Sequence, residues 1–246
     1  MNGASMLVSS NHTVRERVAD VDWRRVSEDL DARGFAVIDK ILSPRECRKL
    51  ASLYPDDVHF RSRVVMSQHG FGRGEYKYFD YPLPGVISEL RAEIYPQLSP
   101  VANRWNEAMG IDVRYPHDLA DFLKRCHAAG QIRPTPLLLK YAPGDFNCLH
   151  QDLYGEHVSP LQSTILLSEP NDDFTGGEFV LTEQRPRMQS KASVVPLCQG
   201  DAVVFAVNRR PVRGARRIYR VNLRHGVSEL RSGLRHALGI IFHDAR

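Results

Sequence analysis

The 246-residue chain carries 33 Lys+Arg against 29 Asp+Glu, a formal charge of +4 at pH 7, with 42% hydrophobic and 25% charged residues. This is the composition of a globular protein long enough for a sizeable core, and so mild a charge does not by itself call for nucleic acid. No apolar run approaches the roughly 20 residues of a membrane span, the N-terminus lacks a signal peptide's apolar stretch, and four scattered cysteines form no CxxC pair. The expectation is a cytoplasmic protein with no membrane contact, no disulfide framework and no thiolate zinc site.

Residues 1–20 read as a flexible lead-in, and 21–246 as a single domain with helical support over 21–130 and a β-rich core over 131–246. In "DVDWRRVSEDLDARG" an acidic start and Gly34 as a stop predict a helix. "FAVIDKIL" follows as a short strand. "SPRECRKLASLY" opens on Ser43, Pro44 and Glu46, a capping box with proline at the first helical position. "HGFGRGEYKYFDYPLP", residues 69–84, is rich in glycine and aromatics and reads as a surface loop or mobile lid. A further helical stretch runs from about 85 to 110, with Pro96 and Pro100 as interruptions.

From about Pro134 the texture changes to eight short β-rich runs punctuated by Gly, Pro, Asp and Asn. They predict a mainly β fold with some α: a double-stranded β-helix, or jelly roll, buttressed by the N-terminal helices. "NRRPVRGARRIYR", residues 208–220, holds six arginines and no acid. It reads as a solvated loop, with a phosphate-contacting patch through Arg213 and Arg216 as the sharper alternative.

Chemistry concentrates at "NCLHQDLYG". If this is a strand, His150 and Asp152 face the same side, and an interior pair of that kind must be satisfied there, for example by a metal. "VNLRHGVSELRSGLRHALGIIF" supplies His225 at the end of a strand, a turn over 226–233 and Arg235 opening the next strand. Two imidazoles and a carboxylate with open positions make a facial triad of the type found at non-haem Fe(II). Arg235 shares a face with the small Ala237 and Gly239, leaving room for a carboxylate to take its guanidinium in a bidentate grip.

With this order and spacing, "HQD" followed by "RHGVSELRSGLRHALGIIF" resembles the Fe(II)/2-oxoglutarate-dependent dioxygenases, in particular their prolyl-hydroxylase-like branch. "RPTPLLLKYAPGDFNCLHQDLYG", "DFTGGEFVLTEQRPRMQS" and "IIFHDA" further resemble a bacterial group of such oxygenases labelled as acting on damaged DNA. The resemblance implies His150, Asp152 and His225 as metal ligands, Arg235 as the 2-oxoglutarate anchor, and Tyr141 as a contact to that co-substrate. It implies Fe(II), 2-oxoglutarate and O2, with oxidative decarboxylation coupled to C–H hydroxylation. On an N-methyl group the resulting alcohol collapses to formaldehyde and a demethylated amine, which would suit an alkylated nucleobase. AlkB-type enzymes carry a second arginine six residues after the first, where this chain has Ile241. A protein side chain or small metabolite is therefore the alternative substrate. A cupin-like metal-binding module without catalysis is the alternative of another class. His157, His236 and His243 read as structural or supporting, with His236 facing away from Arg235.

Overall fold

The computed structural model describes residues 12–153, 155–215 and 217–246. Among these, five α-helices run in chain order: α1 Val14–Ala19, α2 Trp23–Arg33, α3 Pro44–Ala51, α4 Gly85–Ala108 and α5 Leu119–Ala128. The first strands are β1 Phe35–Ile38, β2 Phe60–Val65, β3 Gly72–Arg73, β4 Glu75–Phe79 and β5 Leu137–Tyr141. Then come β6 Phe146–His150, β7 Leu161–Leu166, β8 Phe174–Gly176, β9 Phe179–Gln184 and β10 Lys191–Val195. The last are β11 Ala202–Ala206, β12 Arg209–Arg213, β13 Ile218–Val227, β14 Leu230–Gly233 and β15 Arg235–Ile240.

Two antiparallel sheets form the jelly roll. The larger has the order β1-β11-β7-β15-β5-β4-β2, and the smaller β10-β9-β13-β6-β3 with β12 alongside β13. β11 explains why the helices are needed. All five of its residues, "AVVFA", are buried, because Val203 and Phe205 face the space between the sheets while Ala202, Val204 and Ala206 join the cluster beneath the helices.

That second cluster extends from Val14 to Phe242 and gathers Leu30, Leu50, Ile94, Trp105 and Phe122 with the strand residues Leu138, Ile165 and Ile240. α2 ends as its sequence indicates, with Gly34 in the left-handed conformation at φ 80°. α3 forms its capping box between Ser43 and Glu46. α4 corrects an expectation, since it runs unbroken through Pro96 and Pro100. An interior proline costs about 3 kcal/mol, but burying each of Ile87, Leu90, Ile94, Leu98 and Val101 returns roughly 1.5–3 kcal/mol, so packing decides.

Two domain-level expectations also need correction. Residues 14–19 of the supposed lead-in form α1, whose Val14 and Val18 are buried, while residues 1–11 lie outside the described residues. The segment 21–130 is not purely helical: β1, β2 and β4 complete the larger sheet at its two edges, and β3 completes the smaller. The 69–84 stretch is thus partly sheet rather than a free loop. Among the described residues no helix is long and apolar enough to cross a membrane.

Candidate metal and ligand site

β13 lies between β9 and β6, with His225 opposite both Leu181 and His150. Between the pairs His225↔His150 and Val227↔Asn147, β13 advances two residues while β6 advances three. This is a β-bulge, which re-aims the residue that follows it. It lets Asn147 and His150 both line the interior cavity, although three positions apart they would face opposite sides of a regular strand. β6 ends at His150, so Asp152 stands in the following segment. The expected i, i+2 strand geometry is therefore replaced by a bulge and a strand end, with the same convergence.

The ligand atoms of His150, Asp152 and His225 all lie within 4.8 Å of one another. Nε2 of His150 is 3.5 Å from one Asp152 oxygen, and Nε2 of His225 is 3.4 Å from the other. These separations are long for hydrogen bonds and leave three donors converging on one point. The His150 ring approaches the Cys148 carbonyl through Nδ1 at 2.7 Å. That contact makes Nδ1 the protonated nitrogen and turns the Nε2 lone pair inward, the usual outer support of a metal-bound imidazole. Burial opposes ionisation of Asp152, but the two imidazoles outweigh it and hold the carboxyl far below the ordinary carboxylate range. Burial also lowers the pKa of His225 against the pull of Asp152, whereas at His150 burial is outweighed by Asp152 and the Cys148 carbonyl, which raise its pKa. One carboxylate and two imidazoles able to offer lone pairs suit a divalent cation.

The cavity, about 220 Å³, is lined along β15 by Arg235, Ala237 and Gly239, and along β5 by Tyr141, Leu139 and Leu137. In register, Arg235 faces Tyr141 and Gly239 faces Leu137. Arg235 is 2% exposed, and among the described residues no carboxylate forms an ion pair with it. Its Nε has no hydrogen-bond partner, and its guanidinium carbon lies 5.4 Å from the Tyr141 ring centroid and 5.9 Å from that of Phe174. Burial lowers its pKa, with Tyr141 and Glu178 opposing. The Tyr141 hydroxyl, near Asn147, also lacks a hydrogen bond, and burial pushes its pKa up to about 12. A buried cation and a buried hydroxyl without partners are costly, and both face one cavity.

Residues that motif reading missed complete the walls. Phe71, Tyr76, Tyr78, Gln162 and Thr164 line the same cavity, and Gln162 keeps Nε2 without a partner. The alternation of β4 and β7 could have placed Tyr76 with Tyr78 and Gln162 with Thr164, but only after the strands were assigned to the larger sheet. His236 faces away as expected: its ring centroid is 5.8 Å from that of Tyr54. His243 accepts from the Ser159 backbone N–H at 3.2 Å and His157 holds Gln131 through its carbonyl, both supporting roles.

The arginine run is not a loop. β12 and β13 form a hairpin pairing Arg209 with Asn222 and Arg213 with Ile218. Arg210 is buried, donating to the carbonyls of Asp31 and Ala32 and ion-pairing with Glu183, so it locks α2 to the smaller sheet. Arg220 caps the Met109 carbonyl. Ile218 is seven residues from His225 on β13, about 23 Å along a strand, which sets the exposed Arg213 far from the triad. Arg216 lies outside the described residues.

The family model that matches residues 74–245 describes an oxygenase catalysing oxidative methylation of damaged DNA. Two uncharacterized proteins of Mycobacterium tuberculosis, from strains CDC 1551 / Oshkosh and H37Rv, are each 52% identical over 167 residues, covering 68% of this chain and 72% of theirs. Among solved structures, a Pseudomonas putida prolyl-4-hydroxylase shares 15% identity at TM-score 0.52, covering 91% of this chain and 99% of its own. A Burkholderia pseudomallei oxidoreductase of the 2OG-Fe(II) oxygenase family shares 14% at TM-score 0.54, covering 92% and 94%. At these identities the structural likeness is one of fold.

Proposed function

Because the chain belongs to the oxygenase family matched over residues 74–245, we propose that it is an Fe(II)- and 2-oxoglutarate-dependent dioxygenase with His150, Asp152 and His225 as metal ligands. Arg235, with Tyr141, takes the far carboxylate of 2-oxoglutarate. The observation carrying this reading is the buried, unpaired Arg235 in the same cavity as the triad. Among the described residues no carboxylate ion-pairs with this buried guanidinium and its Nε lacks a partner, while the space over Ala237 and Gly239 suits a small anion. The same observation weighs against a cupin-like module that holds a metal and nothing else.

When bound, Fe(II) with 2-oxoglutarate and O2 supplies oxidative decarboxylation to succinate and CO2 and the insertion of one oxygen atom into a C–H bond. The chain's own groups prepare for this. His150 and His225 would each present Nε2 to the metal, Asp152 would supply the one negative charge, and the Cys148 carbonyl keeps His150 in the required tautomer. Arg235 orients the co-substrate from the cavity's inner end. Leu137, Leu139, Phe179 and Val227 wall the space with apolar surface and limit water around the reacting atoms.

For the target we propose an alkylated nucleobase, oxidised at an N-methyl carbon so that formaldehyde leaves. The family description supports damaged DNA as the target, and a wall of Phe71, Tyr76 and Tyr78 is one on which a planar base can stack. Hydroxylation of a protein side chain is the second reading, favoured by the fold shared with prolyl hydroxylases.

Anaerobic addition of Fe(II) and then 2-oxoglutarate should produce a visible charge-transfer band. His150→Ala should abolish it, and Arg235→Ala should shift it to at least tenfold higher 2-oxoglutarate, since removing a charged hydrogen-bonded pair costs about 1.5–3 kcal/mol. Metal-loaded, folded protein without a band would refute the assignment. Succinate release on adding N-methylated oligonucleotides or proline-containing peptides then separates the two targets.

A further inference from the structure

The arginine hairpin is remote from the triad, but a second basic feature lies over one of the cavity's aromatic walls. Tyr78, on β4, pairs with Leu137, four residues from Tyr141 and so about 13 Å along β5 from the Arg235 end. Tyr78 lines the cavity, and over its ring, 4.5 Å from the centroid, lies the guanidinium of Arg61. Arg61 is half-buried, donating from Nε to the Pro134 carbonyl at 2.9 Å, with a long 3.5 Å contact from Nη1 to the Ser62 hydroxyl. That carbonyl belongs to the neighbour of Arg133, whose backbone is fixed by two hydrogen bonds to Ala245 and whose side chain is exposed. Among the described residues neither arginine has an ion pair with a carboxylate. Burial lowers the pKa of Arg61, and the like charge of Arg133 adds to that, with Tyr78, Asp80 and Asp244 opposing. A planar guanidinium thus stands on an aromatic wall of the cavity, within reach of the charge of Arg133, and among the described residues neither cation is ion-paired.

We propose that Arg61 and Arg133 form the phosphate subsite of the substrate strand, gripping the phosphodiester next to the nucleotide whose base enters the cavity against Tyr78. The inference rests on the nucleobase reading above and assigns its backbone contact to the Tyr78 end of the cavity, away from the 2-oxoglutarate anchor. Guanidinium forks match phosphate oxygens bidentately, and such contacts fix the register of a strand without reading its sequence. The span of about 13 Å between the two ends separates the co-substrate's carboxylate from the target's phosphate.

The test is fluorescence anisotropy of a short single-stranded oligodeoxynucleotide carrying one N-methylated adenine. It is titrated anaerobically with Fe(II)- and 2-oxoglutarate-loaded protein between about 50 and 200 mM salt, a range in which phosphate contacts are expressed strongly. Arg61→Gln with Arg133→Gln should weaken binding roughly tenfold and flatten the plot of log affinity against log salt by about 0.7 for each phosphate no longer neutralised. Arg133→Gln alone, at an exposed position, should flatten it in part, and Arg61→Lys should keep the slope while binding more weakly. Arg213→Gln with Arg217→Gln should leave both unchanged. Unaltered slopes in the Arg61 and Arg133 variants, a flattened slope in the hairpin variant instead, or no oligonucleotide binding by protein that shows the chelate band would overturn the proposal. Absence of the band would sink the oxygenase reading beneath it.

Discussion

Tyr141 separates two roles that a sequence cannot. A core tyrosine normally satisfies its hydroxyl, yet this one is fully buried and unpartnered beside Arg235. Tyr141→Phe therefore removes an unsatisfied polar atom from the apo protein and one hydrogen bond from the loaded one. The melting temperature of the apo variant should stay level or rise, while half-saturation by 2-oxoglutarate rises about fivefold, corresponding to roughly 1 kcal/mol for a hydrogen bond. A lower melting temperature with unchanged 2-oxoglutarate dependence would make Tyr141 a packing residue. Arg235 does not invite the same ambiguity. Its burial without a carboxylate partner would be a net cost in the empty protein, offset only when an anion arrives.

At the scale of elements, the site depends on how β6 meets its neighbours. The bulge at Cys148 and Leu149 sits against Gly226, where an added Cβ would approach the Asn147 carbonyl oxygen to 2.6 Å and that of Cys148 to 3.2 Å. On the other side, Gly72 has φ 124° and its Cβ would meet the Phe146 carbonyl oxygen at 2.4 Å. Glycine on both flanks lets the backbone of β6 be pinched between β13 and β3. Gly226→Ala should displace the bulge and with it His150, since the Cys148 carbonyl that orients the imidazole is one of the atoms pushed. Removing such outer support typically costs 10–100-fold in metal affinity, so Fe(II) or Co(II) titration of the variant should weaken by that factor. Metal affinity at the wild-type level in a folded Gly226→Ala protein would show that the bulge does not hold the ligand in place. Neither glycine is marked by a motif. The sequence shows His150 and Asp152 two apart, but the register shift that aims them appears only when three strands are laid side by side.

Across the whole molecule, legibility follows the range of the interactions involved. The α2 stop at Gly34, the α3 capping box and most β runs after Pro134 rest on local chemistry and are readable from the chain alone. That His150, Asp152, His225 and Arg235 meet in one cavity is anticipated by their order and spacing along the chain, and β13 and β15 bring them together. What stays hidden depends on distant partners. α4 tolerates Pro96 and Pro100 because of burial against the sheet, β2 and β4 become strands by extending an edge, and Arg210 becomes a buried lock because Glu183 and the end of α2 surround it. A charge run in sequence has no face until the fold supplies one.

Away from the metal site, the fold also holds the buried His243 and the half-buried His236, whose titration should contribute to its acid sensitivity. Burial, and then Arg91, lowers the pKa of His243 to about 4, and burial, then Lys140, lowers that of His236 to about 4. An unfolded histidine titrates near 6.5, so between about pH 6.5 and 4 the unfolded chain binds more protons and stability falls as pH falls. The stabilisation is complete above about pH 6.5, is lost progressively below it, and levels off near pH 4 once both states are protonated. For the fully buried His243, a shift of this size corresponds to roughly 3 kcal/mol. Urea midpoints measured from about pH 7 to 4 should therefore drop, and His243→Asn with His236→Phe should flatten that drop whatever it does to stability at neutral pH. Asn keeps an acceptor for the Ser159 N–H, and Phe keeps a ring against Tyr54, so neither change removes the packing along with the proton site. An equally steep fall in the double variant would assign the acid sensitivity to His225, whose pKa burial also lowers, or to carboxylates such as Glu46 and Glu183, whose pKa values are lowered by their folded partners and whose protonation acts in the same direction at lower pH.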